Sequence, residues 1–288
     1  MTFEDHGIYL KNTSGQEKTK CPECSHGRNK QSDPCLSVNI DEGVWNCHHC
    51  GWKGSLNGSA EPPPTKPDAP LTDLPENVLK WFKERGISEA VVGDAEIGYK
   101  DHWIQFPFIK GGEVVNVKSR TADKKFRQSK NAEKCFYRFD HMVGMEAIII
   151  TEGELDALSL VEAGYNNVVS VPDGAIAPNS NPSDKKFSYL LSAEEHLMNA
   201  TTVILAMDDD PAGHAMRDEL SRRIGREKCY RVIYPTDCKD MNEVLMKYDE
   251  DKITELITDA HPYPIDGVVT VDDVLEDAID LLNKPDQK

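Results

Sequence analysis

The chain has 288 residues, 39% of them hydrophobic and 29% charged, an ordinary balance for a folded protein of roughly two or three domains. No apolar run approaches the roughly 18–20 residues of a membrane span, and the N-terminus shows no signal-peptide core, so the expected setting is the cytoplasm without membrane attachment. The net charge of −17 is spread unevenly: residues 101–138 carry nine Lys/Arg against four Asp/Glu, whereas residues 139–288 carry 13 against 31. A basic segment beside an acidic one suits a molecule that holds phosphates with one surface and divalent cations with another.

Two close cysteine pairs, Cys21-Pro22-Glu23-Cys24 and Cys47-His48-His49-Cys50, stand 22 residues apart. That spacing suits four thiolates around one tetrahedral Zn²⁺, each pair gripping one side of the ion from a tight turn. Between the pairs, residues 36–40 and 43–46 predict a hairpin that turns at Asp41-Glu42. Residues 1–56 therefore read as an N-terminal β zinc ribbon with one structural zinc. A thioredoxin-like redox pair is the competing reading, and it lacks a βαβ context. Cys35, His26, His48 and His49 are spare potential ligands, assigned to packing or surface roles because four thiolates complete a zinc site. A module stapled by metal leaves its surface free for recognition. Trp45, His48, His49 and Trp52 cluster at the second knuckle, where exposed rings could stack on unpaired bases of a template strand; the two tryptophans could instead cover the ribbon. Lys18, Lys20, Arg28, Lys30 and Lys53 are candidate phosphate contacts.

Residues 57–73 are rich in Gly, Ser and Pro without an apolar period, which predicts a flexible linker stiffened by prolines. From 77 to 85 the pattern is helical (Val78, Leu79, Trp81, Phe82), with Gly86 as C-cap. Residues 94–99 and 103–109 predict strands, and Gly111-Gly112 a hairpin turn into a strand over 114–120. Lys118 and Arg120 lie two apart on that strand and share a face. Lys124, Lys125, Arg127, Lys130 and Lys134 follow in a polar loop. Residues 74–144 thus form a basic α+β subdomain. A charge run is usually a solvated face, but its position immediately before an acidic strand points to nucleotide or template phosphates.

The stretch Ile148-Ile149-Ile150-Thr151-Glu152-Gly153-Glu154-Leu155-Asp156 reads as a buried strand that ends in a carboxylate turn and opens a helix. Strands at 168–171, 202–207 and 230–234 follow, alternating with helical stretches, so residues 145–262 predict an α/β domain with a parallel sheet covered by helices. Three strands end in carboxylates: Glu152 with Asp156, Asp208 with Asp210, and Asp240 beyond the last. In a parallel sheet such ends emerge along one edge. Asp208 and Asp210, at i and i+2, can face one cavity while Asp209 points elsewhere. Hard oxygen ligands of this kind select Mg²⁺ or Mn²⁺, which keep several waters and bridge substrate phosphates. The alternative, that each triplet is only an acidic helix start, has to hold three times over.

These residues resemble the Toprim family, in Thr151-Glu152-Gly153-Glu154-Leu155-Asp156 after one strand and Met207-Asp208-Asp209-Asp210-Pro211-Ala212-Gly213 after another. With the four-cysteine ribbon in front and Lys239-Asp240-Met241-Asn242-Glu243 behind, the order over roughly residues 15–260 is similar to the primase half of the bifunctional phage primase–helicases. The mitochondrial Twinkle helicase is a more distant relative. The resemblance implies a DNA primase: Mg-dependent nucleotidyl transfer from ribonucleoside triphosphates, making short RNA primers on single-stranded DNA, with the ribbon reading the template. It implies Glu152 as general base or metal-orienting residue. It implies Asp156, Asp208, Asp210 and Asp240 as ligands, directly or through water, of two or more Mg²⁺ or Mn²⁺ ions, with Glu154 able to share that role. Lys118, Arg120, Lys124, Lys125 and Arg127 would neutralise substrate and template phosphates, Lys118 and Arg120 standing with Glu152, Asp208 and Asp210 in the catalytic set. No Gly-x-x-x-x-Gly-Lys-[Ser/Thr] motif occurs, so no nucleotide-hydrolysing motor is expected in this chain.

Residues 263–288 are expected to be a linker with an amphipathic helix at 271–283. That helix would either pack on a neighbouring subunit of a replicative helicase that continues the same polypeptide, or fold back on its own domain. A DNA polymerase is a further expected partner, and a phage-infected bacterial host the expected setting. Two rivals remain. A DNA-breaking enzyme of the topoisomerase type needs a separate tyrosine-bearing domain for which the chain has no room. A non-catalytic Toprim and zinc-ribbon protein that binds single-stranded DNA or acts in recombination would tolerate loss of the carboxylates.

Overall fold

The computed structural model describes residues 2–28, 32, 34–50, 52–56, 64–176 and 184–264. The helix expected at 271–283 lies outside the described residues. The chain forms two compact units that meet at Pro64 and Thr65 in sequence. No helix among the described residues is long and apolar enough to cross a membrane.

In the first unit β1 (Gln16–Thr19), β2 (Leu36–Asn39), β3 (Val44–Cys47) and β4 (Lys53–Ser55) pair antiparallel in chain order. The expected hairpin is thus the middle of a four-stranded ribbon. Period-two alternation drives it: Leu36 and Val38 are buried while Ser37 and Asn39 are only partly covered. Trp45 lies opposite Gly54 in the β3–β4 register, and a Cβ at position 54 would overlap its indole. Glycine therefore lets the ring settle against β4, where it is 5% exposed and touches Phe3, His6 and Trp52. The apolar core of this unit consists of Ile8, Leu36, Val38 and Trp45 with two of the paired cysteines, Cys21 and Cys47. So small a core cannot hold the module alone, and a metal staple is what its size calls for.

The second unit opens with residues that composition assigns to the linker. Thr65 donates its N–H to Asn131 O at 2.9 Å and its hydroxyl to Lys130 O at 3.1 Å, and Tyr99 N–H reaches Leu71 O at 3.0 Å. From Thr65 onward the chain is strapped to this unit. Helix α1 (Glu76–Lys83) turns Val78 and Phe82 inward at i, i+4, and Gly86 follows with φ +74°, the left-handed conformation of a C-cap. Helix α2 (Glu89–Asp94), capped by Ser88 Oγ on Val91 N–H at 3.3 Å, displaces the strand expected over 94–99. That strand begins only at Gly98, as β5 (Gly98–Lys100). Six residues with an internal glycine carry too little period to announce a helix. Strands β6 (Trp103–Lys110), β7 (Glu113–Arg120) and β8 (Phe126–Gln128) complete an antiparallel meander. Its Gly111-Gly112 turn is fixed by Asp140, whose carboxylate accepts both N–H groups at 2.6 and 2.8 Å.

The remaining sheet has the order β10-β9-β11-β12-β13. Strands β9 (Ala147–Thr151), β10 (Val168–Ser170), β11 (Thr202–Ala206) and β12 (Cys229–Arg231) are parallel, and β13 (His261–Pro262) is an antiparallel edge. Helices α3 (Glu154–Glu162), α4 (Tyr189–Asn199) and α5 (Pro211–Ile224) connect the parallel strands, and α6 (Met241–Lys247) and α7 (Glu250–Thr258) precede β13. Strands covered on both faces need unbroken apolar runs. Ile148, Ile149 and Ile150 are at most 1% exposed, each stabilising the fold by about 1.5–3 kcal/mol. The chain steps outward from β9 to β10 and then crosses to β11 on the other side. The carboxyl ends of β9 and β11 therefore flank the point where strand order reverses, where open α/β sheets bind ligands. Thr151 pairs in register with Ala206, so Glu152 and Asp208 emerge from neighbouring strands at one edge.

Candidate active site

Glu152 leaves β9 with Oε1 accepting Ala175 N–H at 3.2 Å, while Oε2 is buried without a hydrogen-bond partner. A buried carboxylate oxygen in that condition is open to a cation. Burial first, then Asp210, raises the pKa of Glu152, against the backbone N–H groups of Ala175 and Asp208 and the charge of Lys118. Asp208 is pushed up to about 7 by burial and by Glu152, Asp240 and Asp210. Asp156, buried in the first turn of α3, is held well above the usual carboxylate range by burial, Asp240 and Asp208. Asp240 is raised as well, chiefly by burial. The parallel register of β9, β11 and β12 brings the three strand ends to one edge, close enough for their carboxylates to repel one another. Asp209 turns away to the surface and pairs with His214 at 2.6 Å.

Asp210 and Asp240 do double duty. Asp210 Oδ1 accepts the N–H groups of Ala212 and Gly213, both at 2.9 Å, to cap α5, and Asp240 Oδ1 accepts Glu243 N–H at 2.7 Å to cap α6. The helix-start reading is true of these two and leaves Glu152 and Asp208 unaccounted for. Among the described residues, no three of these carboxylates have oxygens all within 4.8 Å of one another, as the four thiols of the ribbon have sulfurs. The carboxylates are thus set wider than the thiols, and all of them are the hard oxygen donors that Mg²⁺ or Mn²⁺ prefers. Gly213 packs against the backbone at Asp208, and a Cβ there would overlap Asp208 O. Gly213→Ala, which in an open helix would stabilise, is therefore expected to cost about 1–3 kcal/mol or more. An unchanged urea midpoint would show that α5 can move without disturbing the strand end.

Facing the acids is the basic sheet. Lys118, 8% exposed, pairs with Glu154 at 2.7 Å, so Glu154 turns to β7 rather than joining Glu152. Arg120 lies 5.1 Å over the Trp81 ring, which Arg85 also covers at 3.8 Å. Burial and Arg85 lower the pKa of Arg120, and Glu154 and Asp156 partly restore it. Lys124, whose charge eases Asp240, has a left-handed φ of +62°. Lys125 and Arg127 are exposed; Lys125 pairs with Asp123 at 2.8 Å and Arg127 stacks on Trp103 at 4.1 Å. The structure thus brings Lys118, Arg120 and Lys124 within electrostatic reach of the carboxylates and engages Lys125 and Arg127 with other side chains. Sequence reading missed Arg85 and Trp81, which only the α1–β7 packing places here. It also missed the role of Asn242, whose N–H reaches Asp156 Oδ1 at 3.1 Å while its amide bridges Arg85 O and Ser159 Oγ at 2.9 and 3.0 Å. Tyr234 is buried, and burial first, then the charges of Asp156, Asp208 and Asp240, drives its pKa far up. In the sequence Asn242 stands only as a member of the Lys239–Glu243 stretch and Tyr234 only as the end of a strand, and nothing local gives either a role toward Asp156.

In the ribbon the sulfurs of Cys21, Cys24, Cys47 and Cys50 all lie within 4.8 Å of one another, with Cys21–Cys50 at 3.7 Å and Cys24–Cys47 at 3.8 Å. That set can hold a tetrahedral metal ion. Trp45 is a correction: it fills the core beside Gly54 and offers no open ring. Trp52 is half-buried against it, while His48 and His49 remain exposed, His48 Nε2 lying 2.8 Å from Ser37 Oγ.

Residues 146–233 match the Toprim domain family. The Primase homolog protein of Arabidopsis thaliana is 33% identical over 274 residues, covering 85% of this chain and 81% of the plant protein. The chain belongs to the Toprim primase family. A second relative, the Twinkle homolog protein, chloroplastic/mitochondrial, of Arabidopsis thaliana, is 33% identical over 287 residues, covering 89% of this Toprim primase and 40% of that protein. The Toprim primase thus spans less than half the length of that relative. The primase fragment of the bacteriophage T7 primase–helicase protein has the same fold, with a TM-score of 0.54 at 21% identity, covering 83% of this chain and 98% of that one. The expected architecture, a β ribbon followed by an α+β subdomain and a parallel Toprim sheet, is the one observed.

Proposed function

We propose that this Toprim primase makes short RNA primers on single-stranded DNA by joining ribonucleoside triphosphates. The observation that carries the reading is the meeting of Glu152, Asp156, Asp208 and Asp240 at the sheet's reversal point, opposite a basic wall, with one buried Glu152 oxygen unpaired. Glu152, Asp156, Asp208, Asp210 and Asp240 would hold Mg²⁺ or Mn²⁺, and Cys21, Cys24, Cys47 and Cys50 one structural Zn²⁺. Bound Mg²⁺ would ease deprotonation of the attacking 3′-hydroxyl and offset charge on the α-phosphate and pyrophosphate. Glu152, whose buried Oε2 has no hydrogen-bond partner, would take the hydroxyl proton or orient a cation. Lys118, Arg120 and Lys124 would neutralise the triphosphate, and Lys125 and Arg127 would extend the positive surface along the template. His48, His49 and the open edge of Trp52 would meet template bases. A helicase and a DNA polymerase in a bacterial host are the partners that fit a primase of the primase–helicase type. A non-catalytic DNA-binding role offers no reason to gather four mutually repelling carboxylates.

Incubating the protein with single-stranded DNA, labelled ribonucleotides and Mg²⁺ should yield Mg-dependent oligoribonucleotides. Absence of product across varied templates would favour the non-catalytic reading. Cys47→Ser is expected to abolish template-specific initiation while sparing extension of a supplied dinucleotide. If initiation survives unchanged, the ribbon has no part in reading the template.

A further inference from the structure

The ribbon holds a fifth thiol beside the four paired ones. Cys35, which leads into β2, has its Sγ 3.8 Å from Cys24 Sγ and 3.7 Å from Cys47 Sγ. Cys24 and Cys47 are themselves 3.8 Å apart, so Cys24, Cys35 and Cys47 form a nearly equilateral triangle. A tetrahedral ion with Zn–S bonds of about 2.3 Å has sulfur–sulfur edges of about 3.8 Å. Cys35 is thus held at ligand spacing from two ligands. Its place is tied to both knuckles: its carbonyl accepts His48 N–H at 2.9 Å, and Ser25 Oγ, which accepts Cys21 N–H at 3.0 Å, lies 3.9 Å from its sulfur. Cys50, in contrast, is the exposed member of the resident four.

We propose that Cys35 is a reserve zinc ligand, which takes the ion together with Cys21, Cys24 and Cys47 when Cys50 releases it. The proposal rests on the zinc reading of the ribbon. On exchange the Cys35 thiol loses its proton as its sulfur binds, and the freed Cys50 thiolate takes one up or stays chemically modified. Two overlapping thiolate sets sharing three members would let the ribbon keep its metal, and so its fold, after damage at the exposed ligand. The remaining cysteines, Cys135, Cys229 and Cys238, are buried in the second unit and do not compete.

Replacing zinc by Co²⁺ in the full chain tests this, because sulfur-to-cobalt charge-transfer absorption counts the bound thiolates. Cys35→Ser and Cys50→Ser are each expected to keep a four-thiolate spectrum, and the double variant to fall to three. A three-thiolate spectrum in Cys50→Ser alone overturns the proposal, and so does loss of one thiolate in Cys35→Ser alone, which would make Cys35 a resident ligand. Wild-type protein that binds neither Co²⁺ nor Zn²⁺ overturns the zinc reading itself. A second measurement avoids any folding failure of Cys50→Ser. Wild type and Cys35→Ser are treated with limiting N-ethylmaleimide, the modified cysteine is mapped by mass spectrometry, and zinc release is read with a chromophoric chelator. Alkylation at Cys50 should leave zinc in the wild type and release it from Cys35→Ser; equal release from both counts against the reserve role.

Discussion

Asp208→Asn should stabilise the second unit in Mg²⁺-free buffer and at the same time abolish primer synthesis. The folded-state pKa of Asp208 is about 7, against about 3.9 in an unfolded chain. Between those values the folded state binds the extra proton, so the ionised group costs stability that grows as pH rises from about 4 to 7 and is constant above. Asparagine removes the charge that Glu152, Asp240 and Asp210 repel. By calorimetry the variant's gain in Tm should therefore be larger at pH 8 than at pH 5, each kcal/mol appearing as about 2–4 °C in a unit of this size. Mg²⁺ at pH 8 should raise the Tm of the wild type more than that of the variant. Primer synthesis should fall at least about 10²-fold, the scale on which one charge-stabilising group is lost. In the wild type the Mg²⁺ requirement should climb as pH drops below about 7, because a proton must leave before the cation binds. A variant that is less stable than wild type at pH 8, or that primes at the wild-type rate, would take Asp208 out of the cation site.

Lys118→Met is expected to cost about 3–5 kcal/mol, the penalty for leaving one partner of a buried ion pair unpaired. Lys118 and Glu154 are joined at 2.7 Å with side chains only 10% and 7% exposed, and the pair links β7 of the antiparallel sheet to the first turn of α3. The double variant Lys118→Met/Glu154→Met should recover most of that loss, since two apolar side chains of similar volume replace two desolvated charges. Lys125→Met, whose partner Asp123 is exposed at the surface, should leave stability essentially unchanged, because solvent screens the pair. The split between stability and activity decides the role of Lys118. If it contacts the triphosphate, the double variant will be stable and still show a raised KM for ribonucleotides. Wild-type KM in the double variant would reduce the lysine to a strut between the two sheets.

Much of this site was legible from local pattern. Two Cys-x-x-Cys pairs can grip one ion whatever surrounds them, and an unbroken Ile-Ile-Ile run predicts a doubly covered strand because only such a strand buries both faces. Carboxylates at successive strand ends predict a common edge because parallel strands all finish on the same side. The shape of the segment from 94 to 99 was less legible, since six-residue α2 is held by Ser88 and by tertiary packing rather than by its own periodicity.

By itself, then, the sequence determined the ribbon, the parallel sheet and the acidic edge, all of which follow from spacings of a few residues. Tertiary structure alone decided which groups meet across that edge. Glu154 faces Lys118 from 36 residues away, and Asn242 reaches Arg85 across 157. Trp45 is buried because Gly54, on the next strand, leaves its indole room. Cys35 stands beside Cys24 and Cys47 because β2 delivers it there. Such contacts have no signature in either chain segment taken singly, because each depends on where the fold brings its partner.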